Sequence, residues 1–197
     1  DDCDWTATYT YSVEDDCNNA AANALVVYTG GDTEAPILEG TIPGGDEGNA
    51  CIEDAPLAPD AATIAALYTD NCSDVVIAEL IGSEVVGDDC DWTATYTYSV
   101  KDGCDNFAAN AVVVYTGGDS EPPTLVGTIP GGDEGNACID EAPDAPAVSV
   151  IAALYTDNCS ETITVELIGS EVVGDDCDWT ATYTYSVEDD CNNAAAN

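Results

Sequence analysis

The 197-residue sequence contains no histidine, no methionine and a single basic residue, Lys101. Without histidine there is no imidazole for a catalytic triad or a proton shuttle, and no Gly-rich phosphate loop ends in a lysine. The near-absence of Lys and Arg excludes the basic surfaces that bind nucleic acid or anionic membranes. We therefore predict a protein that is not an enzyme, does not bind nucleic acid and, lacking an apolar run of about 18 residues, does not insert into a membrane in this segment.

The acidic residues number 40 and give a formal net charge of -39. Such a surface attracts divalent cations, and Asp, Asn and backbone carbonyl oxygens are the ligands that calcium takes. A solvated acidic surface that keeps a long chain soluble is the alternative interpretation.

The sequence repeats itself. The string DDCDWTATYTYSV begins at Asp1, Asp88 and Asp175, a spacing of 87 residues. A fixed period of this kind indicates an array of modules. Residues 1–23 and 175–197 are identical, whereas the middle copy differs at four positions, so the repeating unit is either one module or a pair of modules. We interpret the chain as a segment of a longer array.

The segment 92–100 alternates apolar and hydroxyl-bearing residues and predicts a half-buried β-strand with Trp92, Tyr96 and Tyr98 on its buried side. We expect these aromatic side chains to fill a core rather than to form a ligand-stacking platform. Other predicted strands are separated by Gly, Pro, Asp and Asn, and no long helix is predicted. They lie at 37–42, 64–69, 75–81, 84–86 and 111–115.

Glycine pairs at 30–31 and 117–118 interrupt the strand pattern and mark module boundaries. The predicted division is 1–31, the C-terminal part of a preceding module; 32–118, a complete module; and 119–197, a module lacking its last strand. Short strands with turn signals in under 100 residues predict an all-β fold of tandem immunoglobulin-like β-sandwiches with an 87-residue period, stapled by disulfides.

Three motifs carry a resemblance to a known family: Asp-Thr-Glu-Ala-Pro at 32–36, Thr-Asp-Asn-Cys at 69–72 and Cys-Asp-Trp-Thr-Ala-Thr-Tyr-Thr-Tyr-Ser-Val at 90–100. Together they resemble hyalin-repeat (HYR)-like modules. Those modules have an immunoglobulin fold and occur in tandem in very large surface proteins of gliding bacteria that use type IX secretion. The resemblance implies an extracellular location at the cell surface and a role in adhesion.

The ten cysteines recur with the period and predict disulfides formed in an oxidising, extracellular setting. A bond between Cys90 and Cys104 is disfavoured, because nine strand residues at about 3.3 Å separate them by roughly 30 Å, against the 7 Å or so that a disulfide spans. Turns at the same end of a sandwich should pair instead. The predicted pairs are Cys72–Cys104, Cys51–Cys90, Cys159–Cys191 and Cys138–Cys177, with Cys3 and Cys17 pairing outside the sequence. Zinc-binding or catalytic cysteines are the alternative, but neither a CxxC motif nor a histidine accompanies them.

Acidic turns and linkers are expected to meet where successive modules join and to hold calcium there. No EF-hand spacing is present. One predicted group comprises Asp32, Asp70, Asn71 and Asp102, with Asp1, Asp2 and Glu34 nearby. The other comprises Asp88, Asp89, Asp119, Asp157, Asn158 and Asp189, with Glu121 and Asp190 nearby.

These features together predict the structural shaft of an extracellular filament or giant cell-surface adhesin that provides reach and attachment to surfaces or other cells. Its expected partners are other modules of the chain, further copies in a homo-oligomeric bundle, and a cell-surface or glycan target. Two alternatives stay open. One is a repeated glycan-binding or ligand-binding module that uses the Thr rows, the tyrosines or Phe107. The other is a surface-coat protein that gathers calcium.

Overall fold

The computed structural model describes residues 2–196, and strands dominate it. The predicted all-β class is therefore confirmed. The helical pieces are short, namely α1 (Ala61–Ala65), α2 (Val148–Ala152) and two 3₁₀ turns at Ile52–Asp54 and Ile139–Glu141. The strands are β1 (Trp5–Tyr11), β2 (Ala24–Gly30), β3 (Ile37–Leu38), β4 (Gly44–Asn49), β5 (Tyr68–Thr69), β6 (Val76–Asp88), β7 (Asp91–Asp102), β8 (Ala111–Gly118), β9 (Thr124–Leu125), β10 (Tyr155–Thr156), β11 (Thr164–Asp175) and β12 (Asp178–Glu188).

One four-stranded sheet has the order β4-β8-β7-β6, and four two-stranded ladders accompany it: β1-β2, β3-β5, β9-β10 and β11-β12. The alternation predicted for 92–100 is confirmed, since every second residue of β7 is buried. In β11-β12 the register shifts between Leu167 and Gly169, which marks a bulge. No helix of the described residues is long and apolar enough to cross a membrane.

The chain divides into two compact units. The first unit consists of Asp1–Gly44, Leu57–Glu84 and Thr95–Val114, and the second consists of Gly45–Pro56, Val85–Ala94 and Tyr115–Asn197. Strands β6, β7 and β8 each contribute residues to both units. The sequence boundaries 31/32 and 118/119 fall inside the units, so each unit contains residues of two successive repeats.

The core of the first unit forms around the second half of β7. Tyr98 and Val100 are fully buried there, together with Val113 of β8 and Ile64 of α1. The Tyr98 hydroxyl donates a hydrogen bond to the Pro59 carbonyl oxygen, which satisfies its polar end inside the core. The segment that contains α1 therefore covers the aromatic face of the strand.

The core of the second unit contains Trp92, which is 1% exposed, Ile151 of α2 and Val187 of β12. The Trp92 indole N–H donates to the Ala50 carbonyl at 2.7 Å. Gly117 of β8 lies against the indole so closely that an added Cβ would stand 2.5 Å from its ring carbon Cζ2. A glycine is needed at this position because the aromatic ring occupies the space of a side chain.

Three disulfides form, and they differ from the predicted pairs. They are Cys3–Cys104, Cys51–Cys159 and Cys90–Cys191, with Cα atoms 5.1, 5.2 and 5.1 Å apart. The cysteines at 17, 72, 138 and 177 are free and exposed. Each bridge joins a cysteine of one sequence repeat to a cysteine of the next. Disulfides of this number indicate an oxidising, non-cytoplasmic compartment.

The predicted neighbours were correct, but the predicted bonds were wrong. Ser73 and Gly103 are hydrogen-bonded at 3.3 Å, so the turns of Cys72 and Cys104 do lie together. However, the backbone N–H of Asp32 donates to the Asp2 carbonyl at 2.9 Å and holds the Cys3 loop beside the same turn. Cys104 therefore bonds to Cys3, because a loop of the preceding repeat lies within reach.

This connectivity gives a simple cleavage prediction, because all three bridges span the single lysine of the chain. Cys3, Cys51 and Cys90 precede Lys101, and their partners follow it. After cleavage by endoproteinase Lys-C in urea, the two halves of Cys104→Ser are expected to migrate as one species without reductant and as two with it. The predicted repeat-internal pairing has only Cys72–Cys104 spanning the cut, so separation of the unreduced variant would support that pairing instead.

Candidate metal centre

The first unit gathers three aspartates, Asp32, Asp70 and Asp102, here named the Asp32 cluster. Asp102 is fully buried and Asp32 is 7% exposed. A carboxylate oxygen of Asp32, one of Asp102 and the sulfur of Cys104 lie within 4.8 Å of one another. Because Cys104 is bonded to Cys3, its sulfur carries no thiolate charge, and the carboxylates supply the negative charge of the cluster.

Local hydrogen bonds fix one carboxylate oxygen of Asp32 and one of Asp70. Asp32 Oδ1 accepts the backbone N–H of Glu34 at 3.1 Å, and Asp70 Oδ1 accepts that of Ser73 at 2.8 Å. The second oxygen of both residues is buried without a hydrogen-bond donor. A buried carboxylate oxygen without a partner is costly, so this geometry favours either a proton on Asp32, which then hydrogen-bonds to Asp102, or a bound cation.

The second unit holds an equivalent set, Asp119, Asp157 and Asp189, here named the Asp119 cluster. Asp119 is 7% exposed and Asp189 is 3% exposed. Asp119 Oδ1 accepts the N–H of Glu121 at 3.1 Å. The Oδ2 atoms of Asp119 and Asp157 are buried without a donor, as in the first unit. The same arrangement of two unpaired, buried carboxylate oxygens therefore occurs in both units.

Two asparagines that were not among the predicted site residues hold the most buried aspartate of each cluster. The backbone N–H of Asn106 donates to Asp102 Oδ1 at 2.9 Å, and its side-chain amide donates to Oδ2 at 2.8 Å. Asn193 does the same for Asp189 at 2.8 and 2.9 Å. The signal was present as an Asp followed by Asn four residues later. Exposed Asp15 and Asn19 make the same contacts, which indicates that the turn forms from local sequence alone.

Of the other residues predicted for the metal sites, Asp88, Asp89 and Asn71 make hydrogen bonds outside the clusters. Asp88 Oδ1 accepts the N–H of Cys90 at 3.1 Å, and Asp89 Oδ1 accepts that of Ile52 at 2.9 Å. The side-chain amides of Asn71 and Asn158 donate to neighbouring cysteine sulfurs at 3.2 and 3.0 Å. The Asn158 side chain also hydrogen-bonds to Asp119, so Asn158 lies beside the Asp119 cluster. Asp1 lies outside the described residues. The structure thus groups three of the predicted aspartates in each unit and gives Asp88 and Asp89 other hydrogen-bonding roles.

Crowding of carboxylates shifts their ionisation. The N–H of Glu34 lowers the pKa of Asp32, but burial and the charges of Asp70 and Asp102 outweigh it and raise the pKa above its ordinary value. Burial raises the pKa of Asp119, and the charges of Asp157 and Asp189 add to this effect. Burial also acts to raise the pKa of Asp102, but the hydrogen bonds from Asn106 and Cys104 outweigh it, so this pKa is lowered.

These shifts predict an unusual response of the metal-free protein to acid. Asp32 and Asp119 have raised folded-state pKa values, so they gain protons in the folded state first, and stability rises as the pH falls towards the ordinary Asp value of 3.8. Relief of the net charge acts in the same direction. Below 3.8 the lowered pKa values of Asp15 and Asp102 reverse the trend.

The measurement is the melting temperature of the protein in chelator from pH 7 to pH 3. We expect a maximum between about pH 4 and 5. A steady loss of stability from pH 7 downwards would contradict the raised pKa values of Asp32 and Asp119.

Both clusters have the donor set of a hard cation. Their ligands are carboxylate oxygens, and the sequence contains no histidine to favour a transition metal. Redox or nucleophilic chemistry is not favoured here. The sulfurs within the clusters, those of Cys104 and Cys191, are in disulfides. Burial and the charges of Asp32 and Asp70 raise the pKa of the free Cys72 thiol, which disfavours its reactive thiolate form. No protein-family model matches the chain, and no curated protein sequence and no solved structure shows significant similarity to it.

Proposed function

We propose that the chain forms part of the shaft of an extracellular filament or giant cell-surface adhesin, built from tandem immunoglobulin-like modules. The observation that carries the proposal is the disulfide connectivity, in which every bridge joins one sequence repeat to the next. All three bridges lie within the compact units and tie residues of two successive repeats together there. They make the joint between repeats resistant to extension, which is the property that a shaft needs.

The tandem arrangement is supported by matching elements in 32–118 and 119–197. The 3₁₀ turns begin at Ile52 and Ile139, and the helices begin at Ala61 and Val148. The strands β5 and β10 begin at Tyr68 and Tyr155. Each pair is separated by the same interval as the copies of the sequence motif, as expected of repeated modules.

Calcium at the two carboxylate clusters is the second part of the proposal. The residues fit the ion, because each cluster offers two buried oxygens without a donor and a third carboxylate beside them. A bound cation would neutralise the repulsion among Asp32, Asp70 and Asp102 and would hold the linker aspartate to two turns. The joint between repeats would then be stiffened by charge as well as by disulfides.

The ligand-binding alternative is less well supported. A groove of about 870 Å³ runs along β12 and is lined by half-buried Trp179, Tyr183 and Tyr185. In 32–118 the counterparts of these residues are buried, and β8 lies between β4 and β7. Phe107 is 61% exposed, with the Lys101 ammonium 5.7 Å from its ring centroid. The complete repeat thus keeps its strand aromatics for the core.

Immunogold electron microscopy of cells that produce the protein tests the proposed function. An antibody against the chain is expected to label extracellular fibres at regular axial intervals. A fibre made of such modules should lose stiffness when calcium is chelated and should lose strength when its disulfides are reduced. Label confined to the cell interior, or to a surface without fibres, would overturn the proposal.

A further inference from the structure

Four cysteines, all exposed, take no part in the three bridges. Each lies 87 residues from a cysteine that is bonded. The counterparts are Cys104 for Cys17, Cys159 for Cys72, Cys51 for Cys138 and Cys90 for Cys177. The free thiols are therefore at positions that carry disulfides elsewhere in the same chain.

The bridges are of two kinds, represented by Cys51–Cys159 and by Cys90–Cys191. The four free thiols include one counterpart of each of these four cysteines. Cys138 and Cys72 are the counterparts of the two partners in Cys51–Cys159. Cys177 and Cys17 are the counterparts of the two partners in Cys90–Cys191. The bond Cys3–Cys104 is of this second kind too, so one of the two kinds already occurs twice, displaced by one repeat.

The backbone around the free cysteines already has the bonded conformation. The N–H of Cys17 donates to Asp15 Oδ1 at 2.9 Å, as that of Cys191 does to Asp189 at 2.8 Å. The N–H groups of Cys72 and Cys159 donate to Asp70 and Asp157, both at 3.0 Å. Similarly, Cys177 donates to Asp175 at 2.9 Å, and Cys90 donates to Asp88 at 3.1 Å. Cys138 precedes a 3₁₀ turn, as Cys51 does.

We propose that the four free thiols are covalent attachment points for a further copy of the same repeat. Cys138 forms a disulfide with the counterpart of Cys159 in a further repeat, and Cys177 forms one with the counterpart of Cys191. In the same way, Cys72 bonds to a counterpart of Cys51, and Cys17 bonds to a counterpart of Cys90. The partner repeat lies either on the same chain or on a second chain. This inference rests on the proposed function. It adds disulfides to neighbouring repeats to the three that form within the chain.

A disulfide between Cys138 and Cys177, which lie in the same repeat, is disfavoured by the behaviour of their counterparts Cys51 and Cys90. Ile139 donates its N–H to Asp176 at 3.3 Å, so the Cys138 and Cys177 loops are neighbours. The corresponding loops of Cys51 and Cys90 are held in the same way by Ile52 and Asp89, and yet both of these cysteines bond to the next repeat.

Each new bridge forms one S–S bond, breaks two S–H bonds and releases two protons and two electrons. A small-molecule disulfide such as oxidised glutathione accepts the electrons. It first forms a mixed disulfide with one protein thiol, and the second protein thiol then displaces its remaining half. Two small-molecule thiols are the balanced product.

The test uses the 197-residue chain and a longer version with a second copy of residues 24–110 joined after Asn197. Both are oxidised with glutathione and digested with Lys-C. In the longer chain, Lys-C also cuts after the copy of Lys101. This cut releases the C-terminal copy of residues 102–110, here called the tail, unless the copy of Cys104 in the tail is bonded to Cys177. We expect the tail to be retained until reduction, and to be released without reduction in Cys177→Ser.

Cys17→Ser is the matched control and should retain the tail. Mass spectrometry of unreduced peptides should also link Cys138 to the copy of Cys72. If the tail is released but 197-residue chains form disulfide-linked oligomers through Cys177 and Cys17, the partner is a second chain and the proposal holds. If all four thiols stay open to alkylation while the three bridges form, the proposal fails and the proposed function is untouched. Absence of the three bridges themselves would count against the proposed function.

Discussion

Pulled by its two ends under oxidising conditions, the chain is expected to reach a contour length of roughly 80–90 Å, against roughly 650–700 Å after reduction. The difference follows from the covalent path. A force applied at the N-terminus passes from Cys3 to Cys104 through a disulfide, returns along the chain to Cys90, and crosses to Cys191 through another. This path contains about 22 peptide units in place of about 196, at about 3.4 Å each. The reduced protein instead unfolds along its whole length.

Single-molecule force spectroscopy measures this length directly. Cys104→Ser removes the first crossing, so its shortest path runs from the N-terminus to Cys51 and through Cys159, and we expect roughly 300 Å. Cys17→Ser is the matched control, since it alters the same kind of turn but removes no bridge, and it should leave the length unchanged. The repeat-internal pairs predicted from sequence would allow roughly 400 Å in the oxidised wild-type chain, and a value near that would contradict the observed connectivity.

Strands and core residues were predictable from sequence where apolar and polar residues alternate, because alternation places every second side chain on the buried face of a strand. Alternation along β7 places Trp92 and Tyr98 in the core, and the structure agrees. The segment 64–69 was predicted as a strand, which is wrong for its first residues: Ile64 and Ala65 end α1, and only Tyr68 and Thr69 form a strand. The alanines around Ile64 favour a helix, and burial of the single side chain of Ile64 is enough to anchor one turn.

The break predicted near Gly82 is also absent, because β6 runs from Val76 to Asp88 without interruption. Its counterpart β11 shows how a glycine is accommodated there, with a register shift beside Gly169. At Gly169 the glycine therefore marks a bulge, and at neither position does it end the strand. Distinguishing the two requires knowledge of the partner strand, which the local sequence does not contain.

The candidate site was predicted in part for a similar reason. Asp32, Asp70 and Asp102 were expected together, because turns at one end of a β-module converge. The disulfide partners were not predicted, because the predicted pairs join cysteines of the same repeat whereas the observed bridges join successive repeats. Contacts such as the hydrogen bond between Asp32 and Asp2 depend on the neighbouring repeat, and no pattern within one period reports them.

Calcium is expected to stabilise the chain strongly if it binds as proposed, because each of the two clusters would then gain an ion that only the folded state binds. Extracellular calcium modules bind with dissociation constants of about 10⁻⁴–10⁻³ M, so about 10 mM calcium adds roughly 1.4–2.7 kcal/mol per site. For a chain of this size each kcal/mol raises the melting temperature by roughly 2–4 °C, and two sites give a rise of roughly 6–20 °C. Differential scanning calorimetry in calcium and in chelator measures it. Sodium chloride at the same ionic strength separates site binding from screening of the surface charge.

Variants assign the effect to the clusters. Asp32→Asn keeps the shape of the side chain but removes one charge, so the calcium-dependent rise should fall by about half, which reflects the loss of one of two sites. In chelator the same variant should melt higher than wild type, because a repelling charge among buried carboxylates is gone. Asp46→Asn is the control: Asp46 accepts the Gly48 N–H at 2.8 Å in an exposed turn and belongs to neither cluster, so its substitution should leave the calcium-dependent rise intact. An equal loss in both variants would mean that calcium acts on the overall charge of the chain, and the two clusters would then be solvated acidic turns.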